Sequence, residues 1–214
     1  MKLAFLGDSI TLGYALEQRE ADRFPAVLCR MTGHEEYNLG ITGTLVARAG
    51  LSASDGTAYV DRYPQMAGAD YAIVFGGTND YFWSDAPISG GEGDAYFMNA
   101  VHTLCRGLLT MFPKEKILFL TPYPHHGIGN FAGGTHWRES SEHDTDDVNF
   151  VGHVLSDYGD VICGVCAEYG IAVLDLRSCA EPFDWRAMTI DGCHPNEAGH
   201  VWLAERIREV LCNG

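Results

Sequence analysis

Two kinds of apolar segment alternate along the whole of this 214-residue chain. Short, continuous runs of β-branched and aromatic residues are typical of strands that are buried on both faces of a sheet. The longer segments carry apolar residues at spacings of three and four, which is the pattern of a helix with one buried face. Strand followed by helix, repeated to the end of the chain, predicts an α/β fold in which a five-stranded parallel sheet lies between two layers of helices.

The apolar runs predict strands at residues 2–6, 36–39, 71–75, 116–121 and 171–174. The helical patterns predict helices at residues 23–31, 59–66, 95–111, 147–169 and 196–211. Neither an internal repeat nor a linker interrupts this order. We therefore expect a single domain over residues 1–214.

The chain is strongly acidic, with 14 Lys and Arg against 29 Asp and Glu, for a net charge of −15. Because nucleic acids and anionic bilayers attract basic surfaces, we expect neither as a partner. No run approaches the roughly 20 apolar residues of a membrane-spanning helix, and no signal peptide is recognisable. Seven cysteines without framework spacing indicate reduced thiols. The sequence therefore predicts a cytoplasmic protein that acts on a small molecule, in an oligomeric state that stays open.

The expected ligand site follows from the topology, because open parallel sheets bind ligands beyond the carboxyl ends of their strands. Ser9 follows the first predicted strand, where it can expose its hydroxyl, and its N–H can face an oxyanion; a serine that caps a helix is the alternative. Gly40 follows the second strand and either lets the backbone approach a ligand or simply forms a turn. Asn79 follows the third strand, and its amide can donate to an oxyanion or close an Asx turn.

Three aromatic residues, Tyr81, Phe82 and Trp83, follow Asn79 almost directly. They either line a pocket for the apolar part of a substrate or pack beneath a loop. The irregular segment 125–146 contains four histidines, and we expect it to be a surface loop or a lid over the site. The spacing of these histidines matches no metal-ligand pattern, so the sequence predicts neither a metal nor a cofactor.

An acid and a histidine, Asp191 and His194, stand three residues apart just before the last predicted helix. A neutral histidine can take the proton of a serine hydroxyl, and an aspartate can hold the far ring nitrogen in the required tautomer. Asp175 and Asp184 are alternative partners for this histidine. The spacing alone is also compatible with a metal-binding pair or with the start of a helix.

Taken in order, the segments that carry Ser, Gly, Asn and Asp-x-x-His resemble the four sequence blocks of the SGNH, or GDSL-type, hydrolase family. The resemblance extends from Gly7 to the helix after Pro195. The first block reads Gly-Asp-Ser-Ile, with Ile10 where the family usually has leucine, and this apolar exchange leaves the chemistry untouched. The resemblance implies a three-layer, flavodoxin-like α/β/α fold that works without a cofactor.

The resemblance also implies a role for each matched residue. Ser9 would be the nucleophile, His194 the general base and Asp191 the partner of that base. The backbone N–H groups of Ser9 and Gly40 and the side chain of Asn79 would form the oxyanion hole. These roles together describe two-step acyl transfer from an ester to water.

The substrate is less well defined than the reaction. A compact, acidic chain without an obvious long apolar groove favours a short acyl group, such as acetyl on a carbohydrate or a small alcohol. Lysophospholipase or thioesterase activity within the same family is the alternative. A non-catalytic flavin-, nucleotide- or sugar-binding module of the same fold class is a third hypothesis.

Overall fold

Five parallel strands form one sheet in the order β2-β1-β3-β4-β5. A computed structural model of the chain describes residues 1–125 and 148–213. The strands are β1 (Lys2–Gly7), β2 (Glu35–Gly40), β3 (Tyr71–Phe75), β4 (Ile117–Leu120) and β5 (Ala172–Leu174). Each lies within one or two residues of its predicted position, and the order is that of a flavodoxin-like fold. The predicted α/β class and the parallel sheet are therefore confirmed.

Nine helices accompany these strands in the part of the chain that the structure describes. They are α1 (Ser9–Leu12), α2 (Arg19–Asp22), α3 (Phe24–Thr32), α4 (Tyr59–Arg62), α5 (Thr78–Trp83), α6 (Phe97–Leu109), α7 (Leu155–Tyr169), α8 (Trp185–Met188) and α9 (Glu197–Asn213). The long helices α3, α6 and α9 match their predictions closely. The short helices α1 and α5, which follow β1 and β3, were not predicted because a single turn leaves no periodic pattern.

Two of the predicted helices differ from the structure. The helix predicted at 59–66 is α4 followed by a 3₁₀ turn at Tyr63–Met66. The helix predicted at 147–169 starts only at Leu155, because Asn149 Oδ1 accepts the N–H of His153 and closes a turn ahead of it. The predicted loop or lid at 125–146 lies outside the described residues, apart from His125.

The two faces of the sheet pack against different helices. Alternate residues of β1, such as Ala4 and Leu6, share one apolar core with α6 and α7. Their neighbours Leu3 and Phe5 share the other core with α3 and α9. Because successive side chains of a strand point to opposite faces, one sheet separates two helical layers. This arrangement places the carboxyl ends of β1, β2 and β3 side by side at one edge.

Two further observations concern the whole chain. All seven cysteines are free, and four of them are buried. None of the helices in the described ranges combines the length and apolarity of a bilayer-spanning segment.

Candidate active site

Ser9 is the first residue of α1, directly beyond the carboxyl end of strand β1. The residue that caps this helix is Asp8, whose Oδ1 accepts the N–H of Ile10 at 2.9 Å. The capping role considered for the serine therefore belongs to its neighbour. The Ser9 side chain is left available for other contacts, although the residue is only 5% exposed.

Asp191 and His194 lie in the loop between α8 and α9, in a turn that the aspartate closes itself. Asp191 Oδ1 accepts the N–H groups of Cys193 and His194, at 3.0 and 2.7 Å. Its second oxygen, Oδ2, lies 2.6 Å from His194 Nδ1. The Asp-x-x-His spacing thus fixes the imidazole locally, before any distant residue is involved.

The fold brings this turn to the serine across 185 positions of sequence. His194 Nε2 lies 3.0 Å from Ser9 Oγ. An ionised carboxylate can only accept, so Nδ1 carries the ring proton, and Nε2 is the acceptor for the serine hydroxyl. Asp191 is the carboxylate that contacts the histidine. Of the alternatives, Asp175 pairs with Arg177, and Asp184 caps α8.

The environment keeps Asp191 ionised. Burial by itself disfavours its charge, but the hydrogen bonds from the His194 ring and from the His194 and Cys193 N–H groups outweigh burial. Together they lower the pKa of the Asp191 carboxyl to about 2. A permanent negative charge at this position favours an imidazolium whenever the ring takes up a second proton.

Asn79 lies in α5, at the carboxyl end of β3, and is buried beside the serine loop. Its Nδ2 donates to the carbonyl oxygen of Thr44 at 3.1 Å and to Asp8 Oδ2 at 3.3 Å. Burial raises the pKa of the Asp8 carboxyl to about 6, against the opposing effect of the Ile10 N–H. The two hydrogen bonds of Asn79 hold its amide between the segment that carries Ser9 and the loop after β2.

The structure does not bring Gly40 to the site as a donor. Its N–H donates to Asn38 Oδ1 at 2.8 Å. A Cβ atom at Gly40 would lie 2.5 Å from the backbone nitrogen of Leu12 and 2.9 Å from the carbonyl oxygen of Asp8. A glycine is needed here because the backbone of α1 packs directly on β2, and not because a ligand approaches.

Of the two glycines in this turn, Gly43 and not Gly40 reaches the cavity. It lines the cavity beside Ser9 and Asn79, and its φ of +76° is one that glycine adopts without strain. No acceptor for its N–H lies among the described residues. Both glycines belong to the same turn segment of the sequence, so only the packing of α1 against β2 distinguishes them.

A cavity of about 240 Å³ opens above the serine. Its walls consist of Ser9, Ile10, Tyr14, Thr42, Gly43, Thr78, Asn79, Phe82, Trp83, Asp191, Cys193 and His194. Of the three aromatic residues singled out in the sequence, Phe82 and Trp83 line this cavity. Tyr81 does not line it and is instead buried in the core, with its ring 6.1 Å from that of Tyr158.

One aromatic residue of the site, Tyr14, was not predicted from the sequence. Tyr14 follows the first helical turn, is 47% exposed, and has its ring centroid 4.6 Å from that of His194. The cavity is thus bounded by Tyr14 on the histidine side and by the α5 aromatic residues elsewhere. Its place five positions after the candidate serine was the only signal in the sequence.

Comparison with known proteins identifies a family and related folds. Residues 5–202 match the model of the GDSL-like lipase/acylhydrolase family. A solved structure of a protein from Lactobacillus plantarum is 29% identical, with a TM-score of 0.77 over 99% of this chain and 96% of that chain. A carbohydrate acetylesterase from Sinorhizobium meliloti is 15% identical and shares the fold, with a TM-score of 0.72 over 99% and 98% of the two chains.

No curated protein matches the chain. The family model nevertheless covers most of its length, including the segments of Ser9 and His194. The expected resemblance is confirmed, and this chain belongs to the GDSL-like lipase/acylhydrolase family.

Proposed function

We propose that this protein is a serine esterase that hydrolyses short-chain acyl esters, above all acetyl esters of a carbohydrate or a small alcohol. One observation carries the proposal. His194 Nε2 lies 3.0 Å from Ser9 Oγ while its Nδ1 lies 2.6 Å from Asp191 Oδ2. Both distances are within the reach of a general base and of the group that orients it.

In the acylation step, Ser9 Oγ attacks the carbonyl carbon of the ester as its proton passes to His194 Nε2. The charge of Asp191 stabilises the imidazolium that forms. The tetrahedral intermediate then collapses, and His194 returns the proton to the leaving alkoxide, so that the alcohol departs and Ser9 keeps the acyl group. In the second step, water attacks the carbonyl carbon of the acyl-enzyme with His194 as the base, and the acid leaves Ser9.

The oxyanion of each intermediate needs donors that are in place before it forms. We assign this role to the N–H groups of Ser9 and Gly43, neither of which has an acceptor among the described residues. The third donor is Asn79 Nδ2, whose 3.3 Å bond to Asp8 is the longer of its two and is exchanged for the oxyanion. Gly40, the donor expected from the sequence, has no part in this arrangement.

The size of the cavity supports a short acyl group. About 240 Å³ is below the range of roughly 300–1,000 Å³ that is typical of pockets for drug-sized ligands. Tyr14 and Trp83 offer flat apolar surfaces on which a sugar ring can pack. Since a carbohydrate acetylesterase from Sinorhizobium meliloti has the same fold, acetylated sugars are the first natural substrates to test.

The experiment is a panel of p-nitrophenyl esters from acetate to dodecanoate, together with acetylated sugars, assayed with the wild type and Ser9→Ala. We expect the highest kcat/KM with acetate and little turnover by the octanoate. Loss of the nucleophile should lower kcat by roughly 10⁴-fold or more. Ser178→Ala is the matched control, because Ser178 also follows a strand at this edge of the sheet but is exposed.

Each contrary result identifies another function. A maximum at long chains would replace the proposal by a lysophospholipase or thioesterase. Hydrolysis that survives in Ser9→Ala would remove the serine mechanism. A folded wild type that hydrolyses no ester but binds a flavin, a nucleotide or a sugar would be the binding module instead.

A further inference from the structure

Arg62 is a buried cation that has no ion-pair partner among the described residues. It is 3% exposed, at the last position of α4. Within the described ranges, no carboxylate lies at ion-pair distance from it. An arginine is almost never fully buried unless it is paired, because its charge loses its hydration there. The position of this guanidinium therefore requires an explanation.

Neutral oxygens replace the missing carboxylate. Arg62 Nε donates to the carbonyl oxygen of Thr57 at 2.6 Å, and Nη1 donates to that of Leu39. Nη2 donates to the carbonyl oxygen of Gly7 at 3.1 Å and to Thr44 Oγ1 at 3.0 Å. These bonds use four of the five N–H groups of the planar guanidinium, and no other side chain offers as many donors in a fixed fork.

The acceptors belong to the segments that carry the proposed oxyanion donors. Gly7 ends β1, two residues before Ser9. The Thr44 hydroxyl, held by Arg62, donates to the carbonyl oxygen of Ile41 at 2.8 Å and so closes the turn that contains Gly43.

The same threonine extends the connection to the third donor. Its carbonyl oxygen accepts from Asn79 Nδ2 at 3.1 Å. The bond from Arg62 to the carbonyl oxygen of Leu39 also fixes the end of β2, where this turn begins.

We infer that Arg62 is a positioning residue for ester hydrolysis: its guanidinium sets Ser9, Gly43 and Asn79 at the spacing that the oxyanion requires. The inference rests on the proposed function, and it extends that function to a residue that lines no part of the cavity. A misplacement of about 1 Å in such a site costs roughly 10²-fold in rate.

The test compares Arg62→Lys and Arg62→Met with the wild type on p-nitrophenyl acetate. Lysine keeps the charge but cannot reach the acceptors as a fork, so we expect kcat to fall by about 10-fold, and by roughly 10²-fold in Arg62→Met. KM should stay within a factor of about two. Affinity for methylboronic acid, which forms a tetrahedral adduct with the serine, should fall by the same factor as kcat.

Two controls separate positioning from general stability. Arg177→Met removes a guanidinium that pairs with Asp160 and Asp175 beyond β5, and it should lower the Tm without changing kcat. Thr44→Val breaks one of the contacts of Arg62 and should lower kcat in the same way. In a double-mutant cycle, the fold-decrease in kcat of the variant that combines Arg62→Met with Thr44→Val should be smaller than the product of the two single fold-decreases.

The inference would be overturned if both Arg62 variants kept the kcat of the wild type and its affinity for methylboronic acid, whatever their Tm. It would also be overturned if the fold-decrease in kcat of the double variant equalled the product of the two single fold-decreases. Should Arg62→Met fail to fold, Arg62→Lys and Thr44→Val decide the question alone. Failure of the proposed function is recognised separately, because the wild type would then show no hydrolysis that depends on Ser9.

Discussion

At the scale of single residues, Asp191 carries two tasks in one carboxylate: it closes its own turn and holds the imidazole of His194. We predict that Asp191→Asn lowers kcat by up to roughly 10⁴-fold, because a neutral amide neither fixes the tautomer nor stabilises the imidazolium. The measurement is kcat on p-nitrophenyl acetate. Asp184→Asn is the control, since Asp184 only caps α8. Equal activity in the two variants would exclude Asp191 from the mechanism.

Asp8 presents a different balance, since burial raises the pKa of its carboxyl from 3.8 to about 6. The folded state therefore holds this proton more tightly than the unfolded state does. Its contribution to stability is complete below pH 4 and is lost as the pH rises through 6.

We predict from this that the free energy of unfolding of the wild type, relative to Asp8→Asn, falls by up to about 3 kcal/mol between pH 4 and pH 8. Urea unfolding at several pH values measures the difference. Asp55→Asn is the control, because Asp55 is exposed. A difference that does not change with pH would show that Asp8 is charged or neutral throughout.

At the scale of elements, the contact of α1 with β2 decides where the serine lies. A methyl group at Gly40 would meet the backbone of Leu12 and Asp8, neither of which can turn away. We predict that Gly40→Ala lowers both the Tm and kcat, because α1 must shift as a unit.

Gly33→Ala is the control for this prediction. Gly33 has a positive φ, of +68°, and no atom of the described residues lies within 4 Å of the position of an added Cβ. We expect Gly33→Ala to lower the free energy of unfolding by about 1–2 kcal/mol, from its backbone conformation alone, and to leave kcat unchanged. Comparable kcat in the two variants would contradict the packing role of Gly40.

The wrong start predicted for α7 belongs to this scale as well. Apolar residues continue the helical spacing ahead of Leu155, but Asp157 Oδ2 accepts the N–H of Val154 and so closes the first turn. Side-chain hydrogen bonds of this kind offer the backbone an alternative to continuing the helix, and they set the ends of helices against the apolar pattern. Periodicity is decisive only in the middle of an element.

At the scale of the molecule, both helical layers depend on the same sheet. We predict that the chain unfolds in urea as one cooperative unit, as the single domain expected over residues 1–214 requires. Fluorescence and far-UV circular dichroism should give coincident transitions. Two separated transitions would contradict this prediction.

Periodicity within short segments was enough to predict the order of strands and helices, and with it the edge of the sheet at which the site lies. The sequence also pointed to Ser9, Asp191 and His194, which the structure brings into contact with one another. The Asp-x-x-His turn among them forms largely from its own atoms. These features depend on short segments, whose periodicity and side-chain chemistry can be recognised without knowing what each segment packs against.

Packing between distant segments decides three further features: which glycine N–H lacks an acceptor among the described residues, which aromatic residues line the cavity, and which loops Arg62 joins. Gly40 packs against the backbone of α1, whereas Gly43 lines the cavity. In the same way, Tyr14 lines the cavity and Tyr81 does not. These differences depend on distances between segments far apart in the chain. The fold sets them through packing and through hydrogen bonds to backbone carbonyls, which every residue type possesses alike.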